Sequence, residues 1–199
     1  MQKDHFKDRA KDWDKGSIRV RGAEVIATAI KKRVSLKKSM SIMDFGVGTG
    51  LLGFAIAPSV DQVCGVDMSE NMLQQVKEKN TPQLQIKTIC RDIVKEPLSE
   101  KFDGIVSSMT LHHIENLELF FTTIRENLKE DGFIAIADLE KEDGTFHSDN
   151  SGVFHFGFDK EVLSRVVERA GFKNILFETI NTIKKPHRDF NIFLLTASR

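Results

Sequence analysis

Short apolar runs alternate with longer segments of helical periodicity along this chain. Runs of continuous apolar residues bounded by turn residues predict β-strands, and apolar residues three and four positions apart predict helices. The predicted strands are residues 40–45, 62–66, 84–89, 104–107, 132–137, 174–180 and 190–196. The predicted helices are residues 17–34, 50–57, 70–79, 117–129 and 160–170, with Ser69 and Asp159 as N-caps.

The order of these elements predicts an α/β fold. The repeated β-then-α steps favour a mostly parallel sheet with helices on both faces. The last two strands are separated only by residues 181–189, a segment too short for a crossover helix. We therefore expect those two strands to pair antiparallel, as a C-terminal hairpin.

Polar residues follow the apolar strand bodies at the point where each strand ends. They are Asp44, Asp67, Asp92, the pair Ser107-Ser108, and Asp138. Ligands of such sheets bind beyond the carboxyl ends of the strands. These polar residues therefore predict a ligand site at that edge.

Three alternating glycines, Gly46, Gly48 and Gly50, follow the first predicted strand and precede a helix. A glycine turn before a helix start favours a nucleotide-type ligand. A nicotinamide dinucleotide would need its third glycine where Leu51 stands, although Asp67 lies at a suitable distance for a ribose. Asp44, directly before the turn, would repel a pyrophosphate, so this alternative is disfavoured.

S-adenosylmethionine is the second candidate, and it carries no phosphate. Asp44 can attract its ammonium group, and Asp67 can accept hydrogen bonds from both ribose hydroxyls. Asp92 together with Ile93 can contact the adenine amino group and edge. The chain thus offers an acid for each polar part of this molecule.

The chain resembles the class I S-adenosylmethionine-dependent methyltransferases, and within them the small-molecule enzymes related to quinone biosynthesis. Five segments match in family order, together with a family-like tail, although Val47 stands where the family often has cysteine or alanine. The segments are residues 42–50, 65–73, 90–93, 102–114 and 128–134, and the tail is residues 157–159 and 170–172. The resemblance implies a Rossmann-like three-layer sandwich whose seven-stranded, mostly parallel sheet contains a C-terminal antiparallel hairpin strand.

The resemblance also implies S-adenosyl-L-methionine as cofactor and a residue for each of its parts. These residues are Asp44, Gly46 and Gly48 for the methionine part, Asp67 for the ribose, Met68, Asp92 and Ile93 for the adenine, and Ser108 for the methyl-donor end.

A long polar segment, residues 139–158, contains phenylalanines and histidines and is expected to form a lid or wall over the acceptor. The candidate acceptor-side residues are His113, His147 and His155. His112 and His113 are neighbours at a helix start, so at most one of them faces the pocket. No close-spaced ligand motif predicts a metal site.

The acceptor is expected to be a small organic molecule. Methyltransferases that act on base amines or glutamine amides share a Pro-Pro motif after the fourth strand, where this chain has Ser107-Ser108-Met109-Thr110. An RNA or protein methyltransferase remains an alternative because residues 31–38 are basic. A non-catalytic cofactor-binding partner subunit is another, because a fold alone does not establish catalysis.

Composition and charge are consistent with one cytoplasmic domain over residues 1–199, with residues 1–38 as a helical flap that contains Phe6 and Trp13. Twenty-nine basic residues balance twenty-nine acidic ones, so a dedicated nucleic-acid binder is not expected. No apolar stretch approaches the roughly 20 residues of a membrane span, and the start lacks a signal-peptide core. Cys64 and Cys90 are expected to be reduced core residues. The oligomeric state is left open.

Overall fold

The computed structural model describes residues 10–15 and 17–199, so Phe6 of the expected flap lies outside the described residues. The α-helices are α1 (Ser17–Arg33), α2 (Leu51–Ile56), α3 (Glu70–Lys79), α4 (Leu117–Glu126) and α5 (Lys160–Arg169). The strands are β1 (Ser41–Phe45), β2 (Gln62–Asp67), β3 (Ile86–Cys90), β4 (Phe102–Ser108), β5 (Leu128–Leu139), β6 (Lys173–Lys184) and β7 (Asp189–Ser198).

The strands form one seven-stranded sheet in the order β3-β2-β1-β4-β5-β7-β6. Strands β1 to β5 pair in parallel, whereas β7 is antiparallel to both β5 and β6. The order reverses between β1 and β4, and this switch point places the ends of β1, β2 and β4 side by side. The predicted α/β fold with a C-terminal hairpin is confirmed.

The apolar residues of each strand face two cores, one on each side of the sheet. On one side, Phe120 of α4 and Val167 of α5 pack on Ile105 of β4. On the other, Ile30 of α1 and Leu52 of α2 pack near Ile42 of β1 in a second cluster. These three layers bury the strand bodies and leave their polar ends at the sheet edge.

The predicted end of one helix is wrong. The helix predicted over residues 117–129 ends at Glu126, and Leu128 already begins β5. The side-chain amide of Asn127 donates to the carbonyls of Leu98 and Glu100, which fixes the chain where it leaves the helix. Residues 91–101, all of them described, contain no α-helix, and none is predicted there, so turns connect β3 to β4.

The predicted caps agree with the structure. The Ser69 hydroxyl accepts a hydrogen bond from the backbone N–H of Met72, and the Asp159 carboxylate accepts bonds from the N–H groups of Glu161 and Val162. Each bond satisfies a donor that the first helical turn leaves unpaired. These helices therefore begin where the side chains of the sequence specify.

Surface features differ in part from the expectations. Cys64 is buried as expected, but Cys90 is exposed because it ends β3, an edge strand of the sheet.

In the basic segment, residues 31–38, Arg33 forms a bidentate contact with Glu178 of β6, at 2.6 and 2.8 Å. Among the described residues, no helix is both long and apolar enough to cross a bilayer.

Candidate cofactor and acceptor site

Asp67 fastens the glycine turn to the end of β2. One carboxylate oxygen accepts a 2.9 Å hydrogen bond from the backbone N–H of Gly48, and the other accepts a 2.9 Å bond from the N–H of Ser69. The N–H groups of Gly46 and Val47 both donate to the carbonyl of Val66. The turn is thus held against β2 at the sheet switch point.

The backbone of the turn requires glycine at alternate positions. Gly46, Gly48 and Gly50 have φ values of +67°, +52° and +89°, in the left-handed region that favours glycine. A Cβ at Gly46 would clash with the side chain of Thr110, which follows β4. A Cβ at Gly48 would meet nothing within 4 Å. Gly46 is therefore a packing position, and Gly48 borders open space.

Asp44 lies beneath the turn and is almost completely buried, with 1% of its surface exposed. Burial raises the pKa of Asp44 to about 8. The N–H of Gly53 in α2 opposes this rise by donating to the carboxylate, and the nearby charge of Asp67 adds to it. The Oδ2 atom of Asp44 has no hydrogen-bond partner in the described part of the chain. A buried carboxyl group in this state is neutral at pH 7 and ready to ionise beside a cation.

The residues expected at the adenine lie in two different environments. Met68 keeps 48% of its surface exposed, which is unusual for a large apolar side chain beside a polar turn. Asp92 accepts from the N–H of Val94 at 3.2 Å and contacts Lys95 at 3.1 Å. The side chain of Ile93 is fully buried in the core, so only its backbone can contact a ligand.

The described part of the predicted flap contacts the glycine turn. A 3-10 helix at Ala10–Lys15 places Asp14 beside the turn, where its carboxylate accepts a 2.6 Å bond from the Thr49 hydroxyl. Asp14 also forms an ion pair with Lys79, which in turn donates to the carbonyl of Thr49 at 2.8 Å. The N-terminal segment and the end of α3 are thereby joined at the turn.

The end of β4 forms the next wall of the site. Ser107 is buried and donates its hydroxyl to the carbonyl of Phe45 at 2.8 Å, which ties β4 to β1. Ser108 is partly exposed at the strand end. Met109 then adopts a φ of 56°, a conformation uncommon for a residue with a side chain. This strained turn directs the chain from the glycine turn towards the histidines.

His112 and Asp138 form a buried pair where β4 and β5 end. The Nδ1 atom of His112 lies 2.8 Å from Asp138 Oδ1, and both residues are 1% exposed or less. Although burial lowers the pKa of His112, the charge and hydrogen bond of Asp138 outweigh it and raise that pKa above its usual value. Burial likewise raises the pKa of Asp138, but His112 holds it below its usual value.

Phe146 and His147 of residues 139–158, the segment expected to form a lid, lie next to this pair. The rings of His112 and His147 lie 4.8 Å apart, and Phe146 packs edge-on against His147 at 4.8 Å. Lys185, in the turn between β6 and β7, lies 4.2 Å from the Phe146 ring and donates to the Phe146 carbonyl. Burial and the neighbouring imidazoles of His112 and His113 lower the pKa of His147 to about 4.

The other two candidate histidines join the expected lid to the segment that follows β4. His113 Nδ1 lies 2.7 Å from the carbonyl oxygen of Gly152, and His155 Nε2 lies 2.9 Å from that of Ile114. The rings of His113 and His147 both lie beside His112 of the buried pair, at centroid distances of 4.1 and 4.8 Å. Of the neighbours His112 and His113, the sequence favoured His113 as the acceptor-side residue, whereas it is His112 that pairs with Asp138. Asp138, at the end of a neighbouring strand, was a signal that could have pointed to His112.

A metal site needs several ligating side chains close together. No group of three or more histidine, cysteine or acidic side chains among residues 10–15 and 17–199 has a geometry that could hold an ion.

A family described as "Methyltransferase domain" matches residues 43–136, from β1 into β5. Residues 43–136 form a methyltransferase domain. The predicted family is confirmed for this segment, which includes the glycine turn, Asp67 and the end of β4. The matched segment of the methyltransferase domain ends before Asp138 and the lid.

Two curated relatives agree with this assignment. An uncharacterized methyltransferase of Schizosaccharomyces pombe is 31% identical over 69% of this chain and 55% of its own length. A ubiquinone biosynthesis O-methyltransferase of Coxiella burnetii is 30% identical over 62% of each chain. The chain therefore spans 55–62% of the length of these curated relatives.

A methyltransferase of Haloferax volcanii, solved in complex with the Trm112 methyltransferase activator, has the same fold. Its TM-score is 0.79 at 17% identity, over 100% of this chain and 99% of that one. At this identity the likeness shows the fold.

The residues of the methyltransferase domain fit S-adenosylmethionine. The space at Gly48 lets a ligand approach the backbone, and the Asp67 carboxylate beside it is an acceptor of the kind that binds ribose hydroxyls. Met68 exposes an apolar surface for a purine ring. The unpaired oxygen of Asp44 favours a positively charged ligand nearby.

Proposed function

We propose that this chain is an S-adenosylmethionine-dependent methyltransferase whose acceptor is a small organic molecule. The observation that carries the proposal is the Asp67 carboxylate, which braces Gly48 beside open space within a methyltransferase domain. The similarity to a ubiquinone biosynthesis O-methyltransferase supports a small acceptor with a hydroxyl group.

Each part of the cofactor has a proposed contact on this chain. Asp67 binds the ribose, and Gly46 and Gly48 hold the methionine part together with Asp44. Met68 packs on the adenine, with Asp92 and the backbone of Ile93 at its edge. Ser108 borders the reacting end, which places that end near the histidines that follow β4.

The bound cofactor supplies a methyl group already activated by a sulfonium sulfur. The protein's own contribution is to position the acceptor, exclude water and accept a proton where the acceptor must lose one. The lid residues Phe146 and His147 provide an aromatic wall, and Lys185 holds that wall against the β6–β7 turn. His113 and His155 fix the lid backbone on the acceptor side.

Replacement of Asp67 tests the proposed cofactor site. Asp67→Ala removes the acceptor of the ribose hydroxyls, and we expect affinity for S-adenosylhomocysteine to fall by about 1–3 kcal/mol. Asp67→Asn keeps one acceptor oxygen and should show a smaller loss. Isothermal titration calorimetry measures both values, with circular dichroism as a check on folding.

The matched control is Asp61→Asn, which changes an exposed acid just before β2, at the opposite end of that strand. It should bind S-adenosylhomocysteine as the unmodified chain does. Unchanged affinity in Asp67→Ala would remove Asp67 from the site, and no binding by the unmodified chain would contradict the proposed function.

A further inference from the structure

The buried pair of His112 and Asp138 has one ring nitrogen that the packing leaves unsatisfied. Asp138 accepts from the Nδ1 and the backbone N–H of His112 and from the N–H of Leu139, at 2.7–3.1 Å. The Nε2 atom of His112 is buried and has no hydrogen-bond partner among the residues that the structure describes. A histidine with a purely structural role would normally have both ring nitrogens bonded.

Asp138 determines which nitrogen of His112 can take up a proton. A carboxylate only accepts hydrogen bonds, so Nδ1 must carry a hydrogen and neutral His112 has its lone pair on Nε2. The three bonds to Asp138 also fix the ring orientation. The pair therefore has the arrangement of a base held by a carboxylate.

The charged and titratable groups around His112 favour its protonated form. Asp138 of β5 and Glu142 of the lid both attract a positive charge on its ring. His113 and His147 are the other titratable groups that contact the ring, at centroid distances of 4.1 and 4.8 Å. Because the pKa of His147 is lowered to about 4, His147 is neutral and opposes this protonation little near pH 7.

His112 also lies between the two halves of the proposed site. His112 stands two residues after Thr110, whose side chain packs on Gly46. The lid covers it from the other side through His147, whose own Nε2 is buried and lacks a partner within the described ranges. Because the Nε2 atom of His112 is buried, an acceptor reaches it only when residues packed beside the ring, such as His147, move aside.

We propose that His112 is a catalytic residue, the general base that takes the proton from a hydroxyl acceptor; this inference rests on the proposed methyl transfer. Asp138 is the residue that positions His112. The acceptor O–H bond breaks and its proton passes to Nε2 of His112. The acceptor oxygen forms a bond to the methyl carbon while the bond from that carbon to sulfur breaks. The products are a methyl ether, S-adenosylhomocysteine and a His112 imidazolium paired with the Asp138 carboxylate. The proton leaves to water when the lid opens.

The His112→Asn variant tests the base directly. The asparagine Nδ2 can replace Nδ1 as donor to Asp138, but the variant has no group in place of Nε2. With labelled S-adenosylmethionine and a panel of phenols, alcohols, thiols and amines, we expect transfer to hydroxyl acceptors to fall by about 10²–10⁴-fold. Affinity for S-adenosylhomocysteine should stay within about twofold.

The control is His187→Asn, the same change at an exposed histidine in the β6–β7 turn, which should transfer at the unmodified rate. Transfer by His112→Asn within fivefold of the unmodified chain, or transfer to thiols and amines but to no hydroxyl, would overturn the inference and leave the proposed function intact. Cofactor binding without transfer to any acceptor would overturn both.

The pH profile separates the base from a structural role. We expect kcat/KM of the unmodified chain to fall on the acid side as His112 gains a proton, with a midpoint above the usual histidine pKa. Asp138→Asn removes the negative charge that favours the imidazolium, so its midpoint should move to lower pH. An unmoved midpoint in Asp138→Asn would contradict the positioning role.

Discussion

Replacing Asp44 by asparagine is expected to remove a pH dependence of stability that the unmodified chain shows between about pH 4 and pH 8. Burial raises the pKa of Asp44 from 3.8 to about 8, so the folded state retains a proton that the unfolded state loses in this range. The contribution of protonated Asp44 to the free energy of unfolding is therefore fully present below pH 3.8 and is lost as the pH rises through 8. The difference amounts to about 6 kcal/mol over this range.

Urea unfolding at pH 5 and at pH 8.5 measures this effect. Asparagine keeps the carbonyl that accepts the N–H of Gly53 and cannot ionise. The free energy of unfolding of Asp44→Asn should therefore increase relative to that of the unmodified chain as the pH rises. The exposed Asp61→Asn supplies the control and should follow the unmodified profile. Parallel profiles for Asp44→Asn and the unmodified chain would show that Asp44 ionises in the folded state as it does in the unfolded one.

The same property predicts proton release on cofactor binding. A cation near the unpaired oxygen of Asp44 favours the ionised carboxylate, so binding of S-adenosylmethionine at pH 7 should release a proton from this residue. Calorimetric titrations in two buffers of different ionisation enthalpy count the protons. Asp44→Asn should release fewer protons than the unmodified chain.

Alanine substitutions at Gly46 and Gly48 are expected to fail in different ways. Gly46→Ala combines a left-handed backbone with a clash against Thr110, and we expect a loss of about 2–5 kcal/mol in the free energy of unfolding. Gly48→Ala has the same backbone strain but open space around its methyl group. It should lose about 1–2 kcal/mol of stability and about tenfold or more in cofactor affinity, because the methyl group occupies the ligand's space.

Thermal unfolding and calorimetric titration with S-adenosylhomocysteine give the two readouts. Gly22→Ala is the control, because Gly22 lies inside α1 with nothing within 4 Å of its Cβ position, and it should gain up to about 1 kcal/mol. Equal stability losses at Gly46 and Gly48 would show that Thr110 can move aside. Normal affinity in Gly48→Ala would place the cofactor elsewhere.

The sequence predicted the elements whose signals are local. Ser69 and Asp159 cap helices as expected, since a cap depends on a side chain and the backbone two or three residues beyond it. The predicted end of α4 lies three residues beyond the observed one, because an apolar residue such as Leu128 suits a helix and a strand equally well. Its pairing with Phe102 of β4, a contact distant in sequence, decides that it belongs to β5.

The sequence by itself determined the order of the strands and helices, the glycine turn, and the acids at the strand ends, which predicted a methyltransferase domain. Only the tertiary structure decided the state of these groups. It buried Asp44 beneath α2, directed the Asp67 carboxylate at Gly48, and paired His112 rather than His113 with Asp138. The physical reason is that burial and hydrogen-bond geometry depend on residues far apart in the chain. Periodicity and spacing within one strand or helix carry no information about those distant residues.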